Sequence, residues 1–478
     1  VSLAFRRRHP ARSDPWSDRS PRRRDSLWRR LTAPQIFVGS FLFLIAVGTI
    51  GLKLIPGLHT GAPVSWLDAL FTITSAVCVT GLIVVDTATV FTTLGQAWVL
   101  LFIQLGGLGI ITFATLLTFA LGQRLSLRGE ELSSGGTDVA PHLDVRRLTR
   151  DVVVFTLVIE ALGALALYLL WAPDLGHRDA AWPAVFHSIS AFCNAGFSTY
   201  TDSLIGFQRS PLTLLVIAVL IVVGGLGFVT LEEFYVRRQY HRVGRRPMRL
   251  SLHSRLVLAT TALLIVGGWF PLLALEWDGQ LGALPSYHKP VNALFLSVTP
   301  RTAGFNNIDY GRASDATNFF TILLMTVGGS PGSTAGGLKT TTFAVLGILA
   351  WSRFRGKAII SAWGRTIPDE TFERAAGLTV GVVGILVAGV FVLTLSEDPS
   401  AGGDGRFLKY LFETSSAFNT VGLSMGITAG LSGVGKVTMI VMMFVGRVGP
   451  ATAAAALSLS GKARSDGFRF AAENVAIG

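Results

Sequence analysis

Charge is what this chain has least of: 15% of its 478 residues are Asp, Glu, Lys or Arg, against roughly a quarter in ordinary soluble domains. That shortage argues against a soluble domain. Two cysteines, Cys78 and Cys193, leave no disulfide framework, and two thiols without neighbouring ligands make no zinc site. The apolar stretches hold no cluster of His, Asp or Cys such as a membrane-embedded enzyme needs. Neither Gly-x-x-x-x-Gly-Lys-Ser/Thr nor a strand-linked Gly-x-Gly-x-x-Gly occurs, so no nucleotide cofactor is expected in the chain itself.

Long apolar runs are present instead. Gln35–Ile55, Val152–Trp171, Leu256–Leu275 and Ala375–Leu395 each have about the 20 residues needed to cross a bilayer as helix. The net charge of +12 is segregated. Arg6, Arg7, Arg8, Arg12, Arg19, Arg22, Arg23, Arg24, Arg29 and Arg30 precede the first run, and Arg237, Arg238, Arg242, Arg245, Arg246 and Arg249 lie between the halves. The stretches Pro173–Ala181, Glu276–Lys289 and Ser396–Asp404 are mixed or acidic. By the positive-inside rule both termini face the cytoplasm. A membrane surface thus accounts for the basic charge, and no nucleic-acid partner is expected. The Arg-rich stretch runs straight into a full-length span, so no cleavable leader is expected; with Pro10, Pro15 and Ser17 among its arginines it reads as a disordered, membrane-seeking arm.

One pattern returns four times. Leu67-Asp-Ala-Leu-Phe-Thr-Ile-Thr-Ser-Ala-Val-Cys-Val-Thr-Gly-Leu82 is followed by Trp182-Pro-Ala-Val-Phe-His-Ser-Ile-Ser-Ala-Phe-Cys-Asn-Ala-Gly-Phe197. The third copy is Val291-Asn-Ala-Leu-Phe-Leu-Ser-Val-Thr-Pro-Arg-Thr-Ala-Gly-Phe305 and the fourth Leu408-Lys-Tyr-Leu-Phe-Glu-Thr-Ser-Ser-Ala-Phe-Asn-Thr-Val-Gly-Leu423. Each helical stretch is too short to span and follows a complete span, as a re-entrant loop does. Irregular backbone survives at membrane depth only where protein shields it or it lines a water-filled path. A second apolar helix then carries Gly106-Gly-Leu-Gly109, Gly224-Gly-Leu-Gly227, Gly328-Gly-Ser-Pro-Gly-Ser-Thr-Ala-Gly-Gly337 or Gly446-Arg-Val-Gly-Pro450. The expected fold is an all-α integral membrane protein: four helix–pore loop–helix repeats around a pseudo-fourfold central pore, with eight crossing helices and four re-entrant pore helices. The repeats occupy residues 35–120, 151–236, 254–350 and 375–462, between a basic arm (1–34) and a C-terminal tail (463–478).

A ring of backbone carbonyls can replace the hydration shell of a potassium ion. Pointing successive carbonyls to one side needs dihedrals that glycine tolerates best. The candidate filter residues are Val79, Thr80 and Gly81; Asn194, Ala195 and Gly196; Thr302, Ala303 and Gly304; and Thr420, Val421 and Gly422. With these four filters, Ser297-Val-Thr-Pro-Arg-Thr-Ala-Gly-Phe305 and the ending Glu473-Asn-Val-Ala-Ile-Gly478, the chain resembles the Trk/Ktr/HKT superfamily of potassium transporters, above all its bacterial KtrB-type membrane subunits, over about residues 35–478. The resemblance implies potassium as the transported ion and residence in the inner (plasma) membrane. It also implies a homodimer seated on a cytosolic ring of nucleotide-binding RCK subunits. In such proteins Ser in place of the first filter glycine is associated with sodium transport, so Gly81 favours potassium.

Five glycines and a proline between Thr326 and Lys339 remove roughly 1 and 3 kcal/mol of helix propensity per residue respectively, so the helix should break there. Gly328, Gly329, Ser330, Pro331, Gly332, Ser333, Thr334, Ala335, Gly336 and Gly337 are therefore expected to form a gate loop below the filter. Ser330, Ser333 and Thr334 would satisfy freed backbone groups, and Lys339 would anchor the loop to pore-lining acids; close helix packing is the other reading of the glycines. Arg447, a cation at bilayer depth, is a functional residue by default. The resemblance implies that it projects into the pore, and the alternative is a structural tie to pore-helix carbonyls or Glu413. Glu160 and His187 read as packing or hydrogen-bond anchors, Cys78 and Cys193 as small buried residues, and Lys53 as a snorkelling cation. Glu232 and Glu233 either attract cations to the inner exit or simply lie on a solvated helix end. A secondary transporter coupling potassium to sodium or protons is the competing function, since broken helices and internal repeats serve it too.

Overall fold

The computed structural model of the chain describes residues 33–120, 145–242, 249–357, 359–397 and 405–457. Nearly all of the basic arm, the 463–478 tail, Arg245 and Arg246 lie outside the described residues.

Four helices are long and apolar enough to cross a membrane: α1 (Ala33–Leu54), α4 (Val145–Leu175), α8 (Leu252–Leu275) and α12 (Asp369–Ser396). A helix satisfies its own backbone groups, which is what a hydrocarbon environment demands. After each comes a shorter helix that ends at a glycine motif: α2 (Trp66–Val77), α5 (His177–Cys193), α9 (Lys289–Val298) and α13 (Arg406–Phe418). The second of these is longer than the repeat pattern alone suggests, with Pro183 inside it and only Gly176 separating it from α4.

The second helices differ among the repeats. Only α3 (Thr93–Ala120) runs without interruption. In repeat 2, α6 (Pro211–Leu226) and α7 (Phe228–Arg242) meet at a 97° bend on Gly227, whose φ is +80°. Repeat 3 has α10 (Asp315–Met325) and α11 (Thr340–Phe354), separated by the glycine-rich segment. Repeat 4 has α14 (Gly433–Val448) and α15 (Pro450–Leu457), broken at Gly449 with φ +90°. The first helices are thus unbroken and three of the four second helices are interrupted: the break in repeat 3 falls where it was expected, and those in repeats 2 and 4 were not foreseen. A two-strand hairpin, β1 (Ser361–Ala362) with β2 (Arg365–Thr366), links repeats 3 and 4.

Packing closes these elements into a ring. Each second helix touches the short helix of the following repeat: α3 touches α5, α6 touches α9, α10 touches α13, and α14 returns to α2. Serine caps fix where several helices begin. Ser65, Ser251, Ser314 and Ser432 each accept a backbone N–H from the first turn of α2, α8, α10 and α14, satisfying donors that the helix leaves orphaned. At the closure of the ring, Lys436 of α14 meets Asp68 of α2 at 2.7 Å.

Candidate functional site

The short helices stop just before the four glycine motifs, so their C-terminal carbonyls and negative dipole ends converge on one region. There the backbone alternates in handedness. Val79, Asn194, Thr302 and Thr420 have φ of +54°, +60°, +68° and +51°, and two residues later Gly81, Gly196, Gly304 and Gly422 have φ of +96°, +69°, +77° and +95°. Carbonyls along an ordinary strand point alternately to opposite sides; turning every second residue left-handed brings them to one side. For the non-glycine members this conformation costs about 1–2 kcal/mol each, and four equivalent positions bear that cost.

The glycines lie edge to edge. A Cβ on Gly81 would strike the Ala195 carbonyl oxygen and come within 3.1 Å of the Gly196 Cα. One on Gly196 would meet the Ala303 oxygen and the Gly304 Cα at 2.9 Å. One on Gly304 would meet the Val421 oxygen and the Gly422 Cα at 3.0 Å, and one on Gly422 the Thr80 oxygen and the Gly81 Cα at 3.0 Å. The order 81, 196, 304, 422 and back to 81 is a closed ring whose neighbours are carbonyl oxygens. Thr80, Ala195, Ala303 and Val421, which supply those oxygens, are buried.

Four hydroxyls hold the ring from behind, and the sequence reading passed over them. Ser75 Oγ accepts the Gly81 N–H and Ser416 Oγ the Gly422 N–H, both at 3.0 Å. Ser190 Oγ donates to the Phe197 carbonyl at 2.8 Å and Thr299 Oγ1 to that of Phe305 at 2.7 Å. Their signal is in the repeat itself: each hydroxyl residue directly precedes Ala76, Ala191, Pro300 or Ala417.

The glycine marks of the second helices answer first to packing. A Cβ on Gly106, Gly224 or Gly446 would collide with the carbonyl of Val77, Phe192 or Phe418, the end of the short helix of the same repeat. In repeat 3 the segment between Met325 and Thr340 leaves the helix and passes under the ring. Gly336 packs on the Thr420 side chain, Gly337 on Asn419, and Gly328 on Thr302. Ser330 N–H donates to the Gly225 carbonyl at 3.0 Å, and its hydroxyl donates to the Leu226 carbonyl. Ser333 Oγ donates to Ser330 O at 2.7 Å, and Thr334 Oγ1 donates to Phe192 O at 3.3 Å. The Phe228 N–H at the repeat 2 bend donates to Gly332 O at 3.1 Å, so that break exists together with the loop. Pro331 and Gly332, both half-buried, form the tip, and Ala335 is buried.

Arg447 is 3% exposed. Its Nη1 donates to the Thr334 carbonyl and its Nη2 to that of Gly106 at 3.3 Å, which joins repeats 4, 3 and 1 through the loop. Glu413 is not its partner. That carboxylate accepts from Ser424 Oγ at 2.6 Å, Thr428 Oγ1 at 2.7 Å and Met425 N at 2.9 Å, and so braces the segment after Gly422. Nor does Lys339 reach an acid: its Nζ donates to the Ala335 carbonyl at 2.7 Å, within its own loop. Glu160 accepts from Gln104 Nε2 at 3.0 Å and lies 3.7 Å from Cys193 Sγ, an anchor between α3, α4 and α5. His187 pairs with Pro183 O and Ser198 Oγ. Lys53 donates to the Val64 carbonyl at 2.6 Å. Glu233 departs from both of its expected roles, because it is 5% exposed and accepts from the N–H and hydroxyl of Ser251 and the hydroxyl of Ser254 at the start of α8. Among the described residues no group of three or more His, Cys, Asp or Glu could hold a metal ion.

Four short helices aimed at a ring of backbone carbonyls, inside a bundle of membrane-length helices, define a polytopic ion-translocating membrane protein. The chain belongs to the TrkH family of cation transport proteins, whose pattern matches residues 19–463. It is 38% identical over 427 residues to the Ktr system potassium uptake protein B of Bacillus subtilis, covering 89% of this chain and 93% of that one. It is 36% identical over 453 residues to the potassium/sodium uptake protein NtpJ of Enterococcus hirae, covering 94% and 98%. The crystal structure of the potassium transporter TrkH from Vibrio parahaemolyticus superposes with a TM-score of 0.72 at 18% identity, covering 90% of this chain and 86% of that one, which shows a shared fold.

Proposed function

We propose that this chain takes up potassium across the cell membrane through the carbonyl ring, and that the Gly328–Gly337 loop gates the pathway from below. The closed order of left-handed glycines carries the reading, because it presents oxygens from four loops to one axis. Carbonyl dipoles suit a large, weakly hydrated monovalent cation, and the C-terminal ends of four helices add negative potential. The filter is Val79–Gly81, Asn194–Gly196, Thr302–Gly304 and Thr420–Gly422, and Arg447 belongs to the gate. Potassium is the cargo, and the chain needs no cofactor of its own.

Both termini face the cytoplasm in this reading, in the plasma membrane, and two copies pair and sit on a cytosolic nucleotide-binding ring. The relatives named as parts of a Ktr system support the presence of some further component. The name of the Enterococcus relative supports a second reading, in which sodium accompanies or drives potassium uptake. The test is rubidium uptake into proteoliposomes containing the full chain, with and without sodium. Uptake that potassium competes away establishes the pore, and a strict sodium requirement selects the coupled mechanism. Sealed vesicles with folded protein and no rubidium uptake in either condition would overturn the proposal.

A further inference from the structure

Arg301 belongs neither to the four ring tripeptides nor to the glycine-rich loop. It is 7% exposed and lies three residues before a filter glycine, the position that Cys78, Cys193 and Asn419 occupy in the other repeats. Its Nη1 donates to the carbonyl of Thr261 in α8 at 3.3 Å, and its Nη2 to the carbonyl of Gly328 at 3.2 Å. No carboxylate pairs with it among the described residues, and its Nε, also buried, has no partner. One planar guanidinium therefore joins three things: the first helix of repeat 3, the root of the loop, and the strand that turns left-handed at the very next residue, Thr302. The fork geometry is what makes this possible, since an ammonium on a flexible stem does not fix two carbonyls in one plane.

The two sides of the contact are packed differently. A small cavity whose lining includes Thr261, Val298, Arg301 and Gly329 flanks the contact on one side. On the other side Gly328 is pressed against the Thr302 side chain and the Gly336 carbonyl. When the Gly328 carbonyl leaves Arg301, a buried cation loses half of its hydrogen bonds, and the strand it holds loses its brace.

We propose that Arg301 is a positioning residue that couples the third filter strand to the gate loop, so that ion occupancy above favours the seated loop below. The proposal rests on the filter and gate assignments given above. By linkage, a residue that transmits loop position to the filter must also transmit filter occupancy to the loop. Occupancy can then be read on the loop without measuring transport.

The experiment is hydrogen exchange of the amides in Gly328–Gly337, on the full chain in detergent or nanodisc, in potassium and in an equal concentration of a bulky organic cation. In the wild type, potassium slows exchange on the order of tenfold, the size of an ordinary coupling between sites. Arg301→Gln removes that difference, and Arg301→Lys, which keeps the charge and one carbonyl, retains part of it. A residue that served folding alone would alter exchange equally in both salts. Loop exchange indifferent to potassium in the wild type, or an equal potassium effect in wild type and Arg301→Gln, overturns the proposal. Should Arg301→Gln fail to fold, Arg301→Lys decides: an undiminished potassium effect overturns the proposal and a reduced one upholds it. Rubidium uptake by the same wild-type preparation keeps the two levels apart, since uptake with an uncoupled loop removes this inference and leaves the pore standing.

Discussion

Arg447 and Thr334 stand 113 positions apart in sequence, yet the Arg447 guanidinium donates directly to the Thr334 carbonyl beneath the ring. With the bond to Gly106 on the opposite wall, the last helix of the chain fastens the loop to the first repeat. The arginine is thus a bolt on the loop, and in the proposed pathway it is also a positive charge on the ion's route.

Replacing it with alanine removes both effects. A hydrogen bond from a charged group contributes about 1.5–3 kcal/mol, and about 1.4 kcal/mol is a tenfold change in an equilibrium. Arg447→Ala is expected to raise resting rubidium uptake by about tenfold or more, with Arg447→Lys intermediate. Size-exclusion profiles of the purified variants provide the control. Uptake at the wild-type rate in a folded Arg447→Ala protein would show that neither the charge nor the bolt limits conduction.

Gly81 has φ of +96°, and its missing Cβ is the space that the Ala195 carbonyl occupies. Serine there strains the backbone by about 1–3 kcal/mol and pushes one oxygen out of the ring. Gly81→Ser is expected to lower potassium uptake relative to sodium uptake when the two are measured in competition. An unaltered ratio would contradict the filter assignment at this position.

Ser75 and Ser416 each accept the N–H of a ring glycine, Gly81 and Gly422. Leaving a buried N–H unpaired costs about 1–3 kcal/mol. Ser75→Ala and Ser416→Ala should therefore lower both thermal stability and the potassium-to-sodium preference. Ser432→Ala, which removes a helix cap outside the pathway, should lower stability by about 1 kcal/mol and leave the preference alone. If all three variants behave alike, the two hydroxyls serve folding and not the ring.

The long first helices and the left-handed glycines at 81, 196, 304 and 422 were legible because each is a local matter. A 20-residue apolar run, or a glycine that must turn left-handed, announces itself without reference to the rest of the chain. The breaks at Gly227 and Gly449 were not legible, because one glycine changes helix propensity by only about 1 kcal/mol. What decides there is tertiary: the Phe228 N–H finds its acceptor in Gly332, more than a hundred residues away. The same holds for Lys339, whose partner is a carbonyl of its own loop and not an acid. Arg301 and Asn419 could have been noticed, since aligning the four filters puts them level with Cys78 and Cys193. Only the folded backbone shows that Arg301 reaches Gly328.

The loop offers the most direct test of gating, because its geometry permits a clean excision. A Cβ on Gly329 would lie 2.5 Å from that of Ala335, so the two ends of Ser330–Thr334 already meet. Deleting those five residues can rejoin the chain with α10 and α11 left in place. The deletion takes away the bonds from Ser330 to Gly225 and Leu226, from Thr334 to Phe192, and the acceptor for Arg447 Nη1. It leaves Gly336 and Gly337 against Thr420 and Asn419, and therefore spares the contacts nearest the filter. The expected outcome is a folded protein with faster rubidium uptake, an unchanged preference for potassium over sodium, and weaker control by any cytosolic partner. The preference should hold because the ring and its four hydroxyls are untouched. The rate should rise because the segment crossing from repeat 3 to repeat 2 is gone. A shortened protein that folds, keeps its preference and takes up rubidium at the original rate under the same control would show that ions pass this loop without needing it to move.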